Sequence, residues 1–381
     1  MRYQGIKVTM VTGFLGAGKT TLIRHLLEQA PPNERWAVLV NEFGDIGLDS
    51  VFYADLEVAI TEVAGGCVCC TTSAAFQKGL NQLIRQHNPD RIFIEPSGLG
   101  HPKQIIQKLR SEMYRDVLLL TGVFCVLDAT TLSDPRYACH DIYNDQIDSA
   151  DAIVLSHMER YSDKDLDALQ DRLKQPSVTK SPTVFNRHPL GLNINCLDLG
   201  LADVTSSKRN HSLFEHIAKK HALDQVPSVY HRGYESVSLL ETGQFEPNVD
   251  NANRTDIKSA DGQHDGGWYY QKQQDGMKVL GWLWAQNDVF EEVDVLAFSD
   301  ALAALPGIYR LKGMFALSVC TQEASEVPIP AMFVNMSQGK ATITHANCKG
   351  ASRMEVIGDI DTAWETDVQS LCNRVLVSSS L

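Results

Sequence analysis

Along the first 200 residues, short apolar runs alternate with stretches whose apolar positions recur at helical spacing. Residues 6–11 read as a strand. Leu22, Ile23, Leu26 and Leu27 then share one helical face, and Pro31-Pro32 ends that helix. Residues 37–40 predict a second strand, and Leu56, Val58 and Ile60 alternate as a half-buried strand does. Phe76, Leu80, Leu83 and Ile84 mark another helix, followed by a strand over residues 92–94. Pro102 suits the first turn of a helix carrying Ile105, Ile106 and Leu109. Strands over residues 123–127, 153–155 and 183–185 complete the set, with Ser162 as N-cap of a helix holding Leu166, Leu169 and Leu173. This alternation predicts an α/β fold, a mostly parallel sheet with helices on both faces.

Beyond about residue 205 the texture changes. Residues 206–226 read as a helix plus linker, and Asn, Asp, Gly and Gln dominate residues 241–266, so a mobile insertion is expected there. A second unit follows, with strands predicted over residues 279–284, 315–319, 331–334 and 354–357. Its helix runs through Val293, Leu296 and Leu302. The predicted plan is therefore a nucleotide-type α/β domain over 1–205, a linker with polar insertion over 206–266, and a smaller α+β domain over 267–381.

With 47 acidic and 34 basic side chains, the 381-residue chain carries a formal charge of −13. That balance argues against nucleic acid or an anionic membrane as partner. Its apolar runs fall far short of the ~20 residues of a membrane span. Met1-Arg-Tyr-Gln-Gly also lacks the apolar core of a signal peptide, so a cytoplasmic protein is expected. Of nine cysteines, Cys67, Cys69 and Cys70 crowd into four positions. Clustered thiols in a chain without a secretory leader point to metal or thiol chemistry, and the six scattered cysteines are expected in the core.

Gly13-Phe-Leu-Gly-Ala-Gly18-Lys19-Thr20 fits G-x-x-x-x-G-K-[ST] between a predicted strand and a predicted helix. In such a loop, backbone N–H groups and the helix start cradle phosphates. Gly13, Gly16, Ala17, Gly18, Lys19, Thr20 and Thr21 are the candidate phosphate-binding residues. Lys19 would neutralise the β/γ-phosphates and the Thr20 hydroxyl would bind Mg²⁺. A second acid is needed at a neighbouring strand end. Glu95, closing Arg91-Ile-Phe-Ile-Glu95-Pro-Ser-Gly98, is placed for that, with the Gly98 N–H near the γ-phosphate; Asp128 is a secondary candidate.

Cys67, Cys69 and Cys70 offer three soft ligands suited to Zn²⁺ or Cu(I), and Asp45, Glu42 or His101 are candidates for a fourth. A redox dithiol or buried structural thiols are the alternatives. The acidic run from Asn41 to Asp49 is either metal- and water-contacting or an ordinary turn. His211, His216 and His221 recur every five residues, which spreads them around a helix.

Together, the phosphate loop, Asn41-Glu-Phe-Gly-Asp45, Gly65-Gly-Cys-Val-Cys-Cys70 and Glu95-Pro-Ser-Gly98 resemble the CobW family of P-loop GTPases, within the CobW/HypB/UreG class. Glu95-Pro-Ser-Gly-Leu-Gly-His-Pro102 is similar in particular to its YeiR-like zinc-binding branch. Segments such as Arg310-Leu-Lys-Gly313 resemble the CobW C-terminal domain. The resemblance implies a GTP hydrolase that binds zinc through the Cys-x-Cys-Cys loop and delivers it to a client metalloprotein. Glu42, Asp45 or Glu95 would position the attacking water. A homodimer is compatible with this reading. Some relatives add a zinc-ligating glutamate where Val40 stands here, which makes Asp45 the favoured acidic ligand. Such GTPases read guanine with Asn-Lys-x-Asp; the equivalent stretch here is Ser156-His157-Met158-Glu159, so a reduced preference for GTP over ATP is expected. The rival functions are a P-loop ATPase or small-molecule kinase, and a metal-responsive binding protein that the nucleotide only stabilises.

Overall fold

The computed structural model describes residues 4–41, 53, 56, 58–63, 72–175, 177–178, 182–186, 192–199, 268–274, 276–285, 288–318, 329–337, 339–348, 351–376 and 379–380. They fall into two compact units, one within Met1–Gly233 and one within Tyr234–Leu381.

The first unit runs β1 (Ile6–Thr12), α1 (Lys19–Leu27), β2 (Trp36–Asn41), β3 (Ala59–Val63), α2 (Thr72–His87), β4 (Arg91–Glu95), α3 (Pro102–Leu109) and β5 (Leu118–Leu127). Short helices α4 (Pro135–Ala138) and α5 (Asp141–Asp148) lead to β6 (Ala152–Leu155), α6 (Asp163–Leu173) and β7 (Thr183–Asn186). Every strand pairing in this unit is parallel, in the order β3-β2-β4-β1-β5-β6-β7. Residue alternation along the strands divides the core in two. Ala37, Leu39, Ile92 and Ile94 pack with Phe76, Leu80 and Leu83 of α2 and Ile105 of α3. Trp36, Val38, Val40 and Phe93 pack on the other face with Leu22, Ile23 and Leu26 of α1. Strands buried on both faces read as unbroken apolar runs, which is why the sequence pattern located most of them; the half-buried edge strand β3 spans Ala59–Val63 instead, so Leu56 and Val58 of the expected alternation precede it. Helices α4 and α5, of four and eight residues, were not foreseen. Because β1 sends the chain to one side and β5 begins the other, the carboxyl ends beside β1 form the crevice where parallel sheets bind ligands.

The second unit is an antiparallel sheet built from β8 (Trp268–Gln274), β9 (Met277–Leu283), β11 (Ile308–Ala316), β12 (Ile329–Ser337), β13 (Lys340–Cys348) and β14 (Arg353–Asp359). A short strand β10 (Asp288–Val289) precedes α7 (Glu292–Ala303), and α8 (Glu365–Val375) follows β14. Its order is β13-β12-β11-β14-β9-β8. Phe298 and Leu302 of α7 and Val368 and Leu371 of α8 cover Leu280, Leu311, Val334 and Val356. This is an α+β arrangement, as expected, though β8, β10, β13 and α8 were not foreseen and one strand is displaced most. The strand predicted over 315–319 instead spans Ile308–Ala316, because Arg310 and Lys312, which break the apolar pattern, are themselves buried. Among the described residues no helix is long and apolar enough to cross a membrane.

Candidate functional site

Between β1 and α1 the chain turns through three glycines at positive φ, Gly13, Gly16 and Gly18. At Gly13 (φ +143°) a Cβ would lie 2.5 Å from the Val126 carbonyl oxygen of β5, so the loop passes too close to the sheet for any side chain. Gly18 caps α1 without a side-chain hydrogen bond. The first N–H groups of α1 and the positive end of its dipole are thereby offered to an anion. Lys19, only 7% exposed, folds back so that Nζ donates to the carbonyls of Gly13 (3.0 Å) and Phe14 (3.4 Å). Ala17 lies buried inside the turn, while Thr21 is exposed on α1.

Thr20, on the first turn of α1, donates its hydroxyl to Glu95 Oε1 at 2.7 Å. The sequence separated these residues by 75 positions; adjacency of β1 and β4 joins them. Glu95 is buried, and its second oxygen, Oε2, accepts the phenol of Tyr53 at 2.6 Å. Burial, with the Glu95 charge adding to it, holds the Tyr53 phenol well above the usual tyrosine range, so it stays a proton donor.

The neighbouring loop after β4 is braced from two sides. A Cβ on Gly98 would meet Leu15 Cδ2 at 2.8 Å and Leu15 N at 3.0 Å, so this loop lies directly on the phosphate loop. From behind, buried Gln146 of α5 donates Nε2 to the carbonyls of Gly98 (3.0 Å) and Gly100 (3.4 Å). Helices α4 and α5 also grip Phe14, whose ring meets Tyr137, His140 and Tyr143 edge-on with centroids 5.1–5.7 Å away. Neither Tyr53 nor Gln146 carried a sequence signal.

Of eleven buried side-chain polar atoms without a hydrogen-bond partner among the described residues, four stand at the carboxyl ends of strands: Thr12 Oγ1 ending β1, Asn41 Oδ1 ending β2, Asp128 Oδ2 after β5 and Ser156 Oγ after β6. Buried polar groups are normally paired, so such atoms along one crevice are the mark of a polar ligand's seat. The donor set fits a phosphate chain at the loop and a hard divalent cation such as magnesium at the Thr20 and Glu95 oxygens.

The segment expected to read the base begins with Ser156, fully buried, whose carbonyl accepts the Tyr161 hydroxyl at 2.7 Å. His157 adopts a left-handed conformation (φ 55°), and its Nδ1 lies 3.8 Å from Glu159 Oε1. Glu159 projects outward, with Arg160 Nε 3.6 Å away.

Glu42, Asp45, Cys67, Cys69 and Cys70 lie outside the described residues; β3 leads toward the three cysteines and α2 follows them. Among the described residues no group of three His, Cys, Asp or Glu side chains stands ready for a metal. His101 caps α3 and its Nδ1 is 3.6 Å from Asp145. Of the scattered cysteines, Cys125 and Cys372 are buried as expected, and burial pushes the Cys125 thiol up to about 12. Cys139 departs from the expectation: it is exposed, at the end of α4, too short a helix to bury it.

Comparison with known proteins agrees with this geometry. The family model for the CobW/HypB/UreG nucleotide-binding domain matches residues 7–183. Over 378 residues the chain is 34% identical to the zinc chaperone YeiR of Escherichia coli (strain K12), covering 98% of this chain and 99% of that one. It is 29% identical to the zinc chaperone CobW of Sinorhizobium sp, over 58% of this chain and 72% of that one. It is also 36% identical to the zinc chaperone YjiA of E. coli, over 40% and 49% respectively.

Proposed function

The chain belongs to the CobW/HypB/UreG family, and from that premise we propose that it is a zinc-binding GTPase that couples GTP binding and hydrolysis to delivery of zinc to a client metalloprotein. The observation that carries the nucleotide half is the phosphate loop with Lys19 folded into it and Thr20 bonded to Glu95. Support for the zinc half is the Cys-x-Cys-Cys segment, together with a full-length relative that bears the name zinc chaperone.

In this reading the loop N–H groups of residues 13–21 and the Lys19 ammonium stabilise charge on the γ-phosphoryl group as it transfers to water. Magnesium, held by Thr20 and Glu95, supplies further charge neutralisation when bound. Glu95 has an oxygen on each of two hydroxyls, which suits it to anchoring; the water-positioning role falls to Glu42 or Asp45. Zinc is cargo, carried on Cys67, Cys69 and Cys70 with Asp45 as fourth ligand. Residues 1–205 form the nucleotide and metal unit, 206–266 the connection, and 267–381 the client-recognising domain. The protein works in the cytoplasm, without nucleic acid or membrane.

Ser156, His157 and Glu159 flank the base, and the Glu159 carboxylate accepts from the guanine N1–H and 2-amino groups. Metal analysis of the purified chain beside GTPase and ATPase rates tests the proposal. Zinc bound in the native chain and lost in Cys67→Ala, with GTP turned over faster than ATP, is the expected result; a native chain free of zinc overturns the chaperone half.

A further inference from the structure

We propose that Tyr53 is a positioning residue that locks Glu95 in the rotamer that magnesium binding needs. The inference rests on the magnesium–nucleotide reading of the phosphate loop and concerns a residue outside every motif read from the sequence. For the Thr20 oxygen to turn its lone pairs to a cation, its proton must point away from that cation. Glu95 Oε1 accepts that proton at 2.7 Å. A terminal carboxylate torsion is soft, so the acceptor stays in place only if the carboxylate plane is fixed.

Tyr53 fixes it at the other carboxylate oxygen, its phenol lying beside the Thr20 hydroxyl. Its hydroxyl donates to Glu95 Oε2 at 2.6 Å, and its ring is fully buried in the core cluster that also holds Trp36, Val38, Val40 and Phe93. An aromatic ring held by core packing cannot follow a rotating carboxylate, so the phenol acts as a stop. Charge-assisted bonds of this kind are the stronger class of hydrogen bond. Thr20 belongs to α1 and Tyr53 lies ahead of β3, so two separate elements clamp the two oxygens of one side chain.

Tyr53→Phe keeps the ring and its packing while deleting the donor. The experiment titrates Mg²⁺ against binding of a non-hydrolysable GTP analogue, and separately measures Mn²⁺ binding by electron paramagnetic resonance. The Mg²⁺ concentration giving half-maximal tight binding is expected to rise roughly tenfold in Tyr53→Phe, the scale of losing one charged hydrogen bond. Analogue affinity in EDTA is expected to stay at the native value, which also certifies the fold. A folded Tyr53→Phe with native Mg²⁺ and Mn²⁺ dependence overturns the inference and leaves the nucleotide reading standing. A native chain whose analogue binding ignores Mg²⁺ overturns both.

Discussion

Gly13 shows how far one hydrogen atom decides chemistry in this protein. Its φ of +143° and the Val126 carbonyl 2.5 Å from a would-be Cβ leave no room for alanine. Gly13→Ala should therefore cost about 2 kcal/mol or more of stability and lift the loop from the phosphates. Differential scanning calorimetry and analogue titration check both effects. The spacing of glycines made this residue legible, because the steric demand is local to a short loop. Tyr53 was not legible: its partner Glu95 is 42 positions away, and only the packing of the residue ahead of β3 beside β4 brings them together. At the proposed base loop, Glu159 is the carboxylate assigned to accept from guanine. Glu159→Ala is expected to narrow the GTP-over-ATP affinity ratio by about tenfold, or ~1.4 kcal/mol, while leaving ATP affinity unchanged. Calorimetric titration with the two non-hydrolysable analogues decides it; an unchanged ratio would remove Glu159 from base reading.

At the scale of elements, a brace and a clasp hold the sheet's two ends. The brace is α5, whose Gln146 supports the Gly98 loop against the phosphate loop. Gln146→Met keeps the volume and removes the donors, so turnover should fall roughly tenfold with analogue affinity nearly unchanged, since the loop is needed most as charge builds on the transferring group. Single-turnover rates beside equilibrium binding separate the two. The clasp sits near the amino ends of β1, β4 and β5. Buried Arg91 bonds Thr9 and Thr121 through Nη1, and its Nη2 reaches Asp198 at 2.7 Å; Lys7 joins the same carboxylate at 2.6 Å. Burial pushes the Asp198 carboxyl upward, but the bonds from Arg91 and Lys7 outweigh it and hold it below the ordinary range. A carboxyl depressed on folding stabilises fully above the unfolded value near 4, and that contribution fades as pH falls through the folded value. Asp198→Asn should thus flatten the acid limb of the stability curve and cost about 1–2 kcal/mol at neutral pH, a figure discounted because Asp198 is partly exposed. Denaturant melts from pH 2 to 7 test it. No sequence pattern announced this clasp, since Arg91 at the start of an apolar strand reads as a solvated charge.

For the whole molecule, the cores of the two units share no residue among those described. One is built from side chains between Ile6 and Leu199, the other from side chains between Leu280 and Leu376. The parallel sheet was legible almost strand by strand because strands buried on two faces show continuous apolar runs. The antiparallel sheet was less so: β8 and β13 read as polar, and Arg310, Lys312 and Glu355 are charged yet buried. A net charge of −13 also gave no hint of a phosphate seat, because the favourable groups described at the loop, Lys19 and the start of α1, are local ones. That locality has a consequence for function. If binding depends only on groups within residues 1–205, that fragment should fold and hold the GTP analogue within about threefold of the full chain, because a contribution below ~0.7 kcal/mol is all that remains for the rest. Zinc delivery is different, since the proposal gives recognition of a client to residues 267–381. The fragment should keep its zinc, yet fail to load a client apoprotein that the full chain loads. Circular dichroism, analogue titration and zinc transfer to the client, run in parallel on fragment and full chain, put the division of labour to the test, and a fragment that transfers zinc as well as the full chain would assign client recognition to the nucleotide unit instead.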